Sequence, residues 1–282
     1  MQNSTLQREW RRVCREEAKY LRENSKVSES RLNRMLEDKI PDNLQDTLDA
    51  AFCKAFELIF QKGTGIIEKT YDRDEIEKEF RRALDGEDTS AHTTNNLRAV
   101  SNRAEDSGGR SFLLSGIEGV GLGLLGIGLP DIPIFTGVLL RSVYKIALSY
   151  GYDYESRKEK YFVLAVIEAA LSHGENLKAT NDDLNRFIVN GKYPPHYSQV
   201  RQIRKTSATL SQELLYMKFL QGVPVVGAVG GAYDAIYMKR VQKFANIKYK
   251  RRFLADQHRE EDERNASEES DQGGPDDGPS IA

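Results

Sequence analysis

The chain has 282 residues, enough to bury a self-sufficient core in one large domain or two small ones without covalent staples. Its two cysteines, Cys14 and Cys53, show no CxxC spacing and no neighbouring histidine pair, which argues against a disulfide framework and against a zinc motif. The formal net charge of −2 conceals a sorting of sign: residues 256–282 carry ten acids against Arg259 and Arg264, and the chain before them is net positive.

Residues 1–20 are rich in Arg and Glu and contain no apolar h-region, so no secretory signal is expected, and the chain reads as facing a reducing cytoplasm. Alternating β-branched runs are scarce, whereas apolar spacings of three and four recur throughout, which predicts an all-α multi-helix bundle. Residues 5–23 and 28–39 are highly charged, with sparse apolar positions such as Leu6, Trp10, Val13, Leu32, Met35 and Leu36, and are expected as peripheral helices. Pro41 and Asp42 open a stronger helix, in which Leu44, Leu48, Ala51, Phe52, Ala55, Phe56 and Ile59 form an apolar face ending near Gly63. A short charged helix is expected over residues 74–84, followed by a polar stretch over 86–109 that reads as loop with one weak helix near 97–104.

At Ser111 the composition turns abruptly to Leu, Ile and Gly. Gly116, Gly119, Gly123 and Gly126 recur at intervals of three, four and three, which places them on one stripe of a helix. Each interior glycine costs about 0.8–1.0 kcal/mol relative to alanine, so close packing of a second backbone against the stripe must offset the loss. Pro130 and Asp131 end this arm and start the next, with Asp131 as N-cap and Pro133 in the first turn. The result is a glycine-rich helical hairpin. Its first arm spans about 28 Å at 1.5 Å per residue, close to the thickness of a hydrocarbon core. Its ten Leu, Ile, Val and Phe residues favour insertion by about 3–6 kcal/mol, and Glu118 opposes it by about 3. A buried core hairpin and a hairpin dipping into a bilayer are both compatible with that balance. Gly121, Gly123 and Gly126 also match GxGxxG, but no strand precedes them and Lys145 occupies the region where the fingerprint needs an acid, so a dinucleotide turn is rejected.

Further helices are expected over residues 131–150, 155–172, 199–220 and 225–254, with Gly151 at a C′ position and Asp153 capping the next helix. A second small-residue segment contains Pro224, Gly227 and Gly231, and its helix continues through Asp234 into a basic run of Lys239, Arg240, Lys243, Lys248, Lys250, Arg251 and Arg252. Beyond it the acidic tail is expected to be disordered. His92, His173, His196 and His258 are isolated and read as surface or capping residues; no HExxH, GxSxG or GxxxxGK[ST] occurs. No metal site, cofactor or catalytic set is expected.

The glycine segment ending in Pro130 and Asp131, the sequence Tyr150, Gly151, Tyr152, Asp153, the segment holding Pro224, Gly227 and Gly231, and the terminal Arg251, Arg252, Phe253, Leu254 together resemble the EcsC family over residues 41–254. The resemblance implies a bacterial helical protein without an established activity, from a family named for a protein encoded beside the components of an ABC transporter linked to secretion and differentiation. Asp234 stands where the resemblance leads one to expect Asn. Residues 1–40 then read as a charged helical extension, 41–255 as the EcsC-like domain and 256–282 as the tail. The resulting expectation is a non-enzymatic accessory protein at the inner face of the membrane, with an ABC transporter as possible partner. Its basic run would meet anionic headgroups at about 1 kcal/mol per residue or be a solvated face balanced by the tail. A hydrolase or lipid-handling enzyme, with Asp131 or Glu118 as acid or base, is the alternative. Nucleic-acid binding is not expected, because no exposed aromatics interleave with the basic residues.

Overall fold

The computed structural model describes residues 2–25, 42–62, 72–84, 131–220 and 232–272. Among these there are eight helices and no strand: α1 (Gln2–Asn24), α2 (Asp42–Lys62), α3 (Arg73–Leu84), α4 (Asp131–Ser149), α5 (Arg157–Leu171), α6 (Gly174–Asn190), α7 (Gln199–Leu220) and α8 (Ala232–Gln272). The all-α bundle predicted by the apolar spacing is what forms. Gly116, Gly119, Gly123, Gly126, Pro130, Pro224, Gly227 and Gly231 lie outside the described residues, as does Glu118.

The bundle is built around α5. From Tyr161 to Leu171 every residue of this helix is buried, as expected of a helix apolar on all sides. It packs against α6, α7 and α8 and touches α4; α2 lies across α7 and α4, and α1 runs along α8. Full burial of a Leu, Ile or Phe side chain contributes about 1.5–3 kcal/mol, so Phe162, Leu164 and Ile167, all fully buried, make α5 the main source of cohesion. The face predicted on α2 points inward as read, with Leu48, Ala51, Phe52, Ala55 and Phe56 buried.

The turn after α4 is a Schellman motif: Tyr152 N–H donates to Ala147 O at 2.9 Å and Gly151 N–H to Leu148 O at 2.9 Å, with Gly151 at φ +81°. A Cβ at that position would lie 2.3 Å from Phe80 Cε1, so glycine here serves both the turn and the seating of α3. Asp153 does not cap the next helix. Its Oδ1 accepts from Glu155 N–H, and Ser156 Oγ, accepting from Glu159 N–H at 3.1 Å, provides the N-cap of α5.

Three further expectations are corrected. Helix α6 was not foreseen: its buried face includes Thr180 and Asn181 beside Leu177, Leu184 and Ile188, so polar residues interrupt the apolar period. Helix α1 is not peripheral, because Leu6, Val13 and Tyr20, seven apart, are all buried with Glu9 and Glu17 between them. Helix α8 runs on to Gln272, so residues 256–272 are helical where a disordered tail was expected; no Gly or Pro interrupts the chain before Gly273.

Candidate functional site

The basic run of α8 does not form one exposed surface. Lys248 is fully buried, with Nζ 3.1 Å from Glu17 Oε1 and 2.8 Å from Asn185 Oδ1. Lys250 Nζ lies 3.0 Å from Glu9 Oε2, Arg251 Nη1 2.6 Å from Glu17 Oε2, and Arg252 Nη1 2.6 Å from Glu159 Oε2. Arg240 pairs with Glu213, a buried carboxylate that also meets His173 Nε2 at 2.9 Å. That histidine was expected at a surface or a cap; it sits at the N-cap position of α6, but its ring is buried between this carboxylate and Asn24 O. Of the seven basic residues only Lys239 and Lys243 are exposed, and Lys243 Nζ reaches Glu23 Oε2 at 3.4 Å. Five of the seven thus hold helices together and are unavailable to headgroups, because buried cations need counter-charges and α1, α5 and α7 supply them.

The electrostatics follow from this placement. Burial alone raises the Glu17 carboxyl, but Lys248 and Arg251 outweigh it and bring its pKa down to about 2. Burial lowers Lys248 to about 8 despite Glu17. The Arg252 guanidinium also lies 4.0 Å from the centre of the Tyr152 ring and 4.7 Å from that of Phe162.

Two of the segments that carried the family resemblance, Tyr150–Asp153 and Arg251–Leu254, meet at one joint. Tyr150 packs on Tyr249 and Phe253, Phe80 meets Phe253 edge-on, and Tyr152 Oη donates to Asp256 Oδ2 at 2.6 Å. The stretch Tyr150–Asp153 and the terminal Arg252–Phe253 pair therefore fasten α3, α4 and α8 to one another. Asp153 Oδ1 accepts from Arg73 Nη2 at 3.2 Å. Asp131 opens α4 and Asp234 lies in α8. Among the described residues no group of three His, Cys, Asp or Glu side chains is arranged to hold a metal ion. No described helix is long and apolar enough to cross a membrane.

The exposed cationic surface is on α1 instead. Arg8, Arg11, Arg12, Arg15, Lys19 and Arg22 are all exposed, while Glu9 and Glu17 of the same helix face the core. At 100° per residue these six positions fall within one stripe about 100° wide. Arg12 is held to Glu16 at 3.0 Å, and Lys19 lies 3.9 Å from Glu23. Because Lys243 also reaches Glu23, the stripe continues onto α8 at its end. The signal was present in the sequence as six cations at one helical spacing. It was masked by Glu9 and Glu17, which make the segment look evenly charged until their burial is seen.

The EcsC protein family matches this chain over residues 7–254, so the match begins inside α1 and not at Pro41. The uncharacterized protein YdbA of Bacillus subtilis (strain 168) is similar, at 24% identity over 131 residues, which cover 46% of this chain and 48% of that protein. The chain thus spans about half the length of this curated relative. No solved structure matches the chain.

Proposed function

The chain belongs to the EcsC family, and from that premise we propose that it is a non-catalytic accessory protein that attaches to anionic membrane surfaces on the cytoplasmic side through the outward face of α1. The observation that supports this reading is the excess of cations on the outward side of one helix: Arg8, Arg11, Arg12, Arg15, Lys19 and Arg22 point to solvent against Glu16 and Glu23, while Glu9 and Glu17 are neutralised inside. A predominantly cationic stripe on a helix docked into the bundle presents its charges on one side. Each Lys or Arg near an anionic bilayer is worth about 1 kcal/mol, so four or five engaged side chains give attachment that is useful and strongly salt-sensitive. An ABC transporter, the partner that the family resemblance implies, would be met at the same surface.

Vesicle flotation tests the reading. The full chain should float with phosphatidylglycerol-containing vesicles at low salt, fail to float with purely zwitterionic vesicles, and be released at high salt. Replacing Arg8, Arg11, Arg15 and Lys19 together with Gln should weaken binding on the order of 10²–10³-fold. Flotation unchanged by those substitutions, or absent at low salt, overturns it.

A further inference from the structure

On another part of the bundle, a cleft of about 230 Å³ opens between α5, the middle of α6, residues 194–198 and the first turns of α7. It is smaller than the roughly 300–1,000 Å³ of sites for drug-sized molecules, so its occupant is small. Tyr161 lines it and is 1% exposed, with its ring edge-on to Tyr197 at 5.0 Å. The buried hydroxyls of Tyr20, Tyr237 and Tyr249 each donate to a carbonyl or carboxylate, but that of Tyr161 has no hydrogen-bond partner among the described residues. Nor is it among the orphaned polar atoms sealed in the core, so it faces the open space of the cleft.

Charges of both signs surround it, with the carboxylates of Glu168 and Asp183 set against the cations Arg201 and Lys205. Burial first, and then the carboxylates of Asp183 and Glu168, push the Tyr161 phenol well above its usual range. Glu168, itself buried, accepts from Gln202 Nε2 at 2.6 Å and from Thr180 Oγ1 at 3.1 Å. Its third partner is the ammonium of Lys205, at 3.5 Å, on a side chain that is 61% exposed. One ammonium therefore already sits over this carboxylate, loosely held and open to exchange with solvent.

We propose that the cleft is a binding site for a small primary ammonium compound, which donates to the Tyr161 hydroxyl and the Glu168 carboxylate in place of Lys205. A primary ammonium carries three donors and no acceptor, which suits an unpartnered hydroxyl and a carboxylate that line the same cleft. The Tyr197 ring adds a surface that favours cations. This site is independent of the α1 face.

The test titrates the full chain with n-butylammonium, with butyrate and tetramethylammonium as controls, following backbone amide shifts in NMR. Butylammonium should shift the amides around Tyr161, Tyr197 and Gln202 saturably, tetramethylammonium should bind more weakly for want of N–H donors, and butyrate should not bind. Tyr161→Phe keeps the ring and should weaken butylammonium about fivefold. Lys205→Met removes the competing ammonium and should tighten it, whereas an anion site would be weakened by the same change. Saturable binding of butyrate at these amides, equal affinity in Tyr161→Phe, weaker butylammonium binding in Lys205→Met, or no saturable shift with butylammonium each overturns the proposal. If Tyr161→Phe fails to fold, the Lys205→Met result decides.

Discussion

Lys248 of α8 and Glu17 of α1, 231 positions apart in the chain, form a buried ion pair at 3.1 Å, and Arg251 shares the same carboxylate at 2.6 Å. Helix α1 is thus locked to α8 by charge as well as by the packing of Tyr20 on Phe244.

The pH dependence follows from Glu17. Its pKa falls from 4.5 to about 2 in the folded state, so its contribution is fully present above the unfolded value and is lost as pH falls from about 4.5 toward 2. The amount is on the order of 3 kcal/mol. Urea unfolding of the wild type should weaken steeply over that window, whereas Glu17→Gln, already destabilised by about 3–5 kcal/mol at neutral pH, should show a flatter acid profile. Parallel profiles for the two proteins would contradict the assignment.

Lys248 acts in the same sense but in an alkaline window. Its folded pKa of about 8 lies below 10.5, so the unfolded chain holds the proton more tightly and this group's contribution to stability grows as pH rises from about 8 to 10.5. Lys248→Met retains most of the volume and leaves Glu17 paired with Arg251 and bonded to Asn185. It should therefore cost less than Glu17→Gln at pH 7, and denaturation at pH 7 and 10 should show that the alkaline gain has gone.

Two glycines of the same region should respond with opposite signs. Gly151→Ala forces a side chain into a left-handed turn and against Phe80, and should cost about 2 kcal/mol or more. Gly137, inside α4, has no described atom within 4 Å of an added Cβ, and Gly137→Ala should stabilise by about 0.8–1.0 kcal/mol. Thermal unfolding of the pair checks both.

Arg252 makes a prediction about chemistry that charge alone does not. Arg252→Lys keeps the positive charge near Glu159 but loses the flat guanidinium between Tyr152 and Phe162, and should cost about 1–2 kcal/mol in chemical denaturation.

Much of this architecture was legible where apolar period and punctuation agree. Helices α2, α4, α5 and α7 begin and end within a few residues of their predicted limits, because Leu, Phe and Ile mark their faces and Pro or Gly marks their ends. Helix α6 was not legible, since Thr180 and Asn181 sit where a hydrophobic residue would have announced the buried face. The basic run was misread for a different reason. Sequence shows that Lys248, Lys250 and Arg251 are cations, but not that Glu9 and Glu17 arrive from the other end of the chain to meet them. Local charge patterns reveal sign; which of them face water is decided by contacts between residues more than two hundred positions apart.

Because the first helix supplies the counter-ions for the last, a shortened chain beginning at Pro41 would leave three cations of α8 in an apolar groove with no acid to meet them. Such a fragment is expected to expose that groove and to aggregate, however complete its remaining helices look. Helices α1 and α8 are made far apart in time but must be joined in space, so the docking of α1 awaits synthesis of α8.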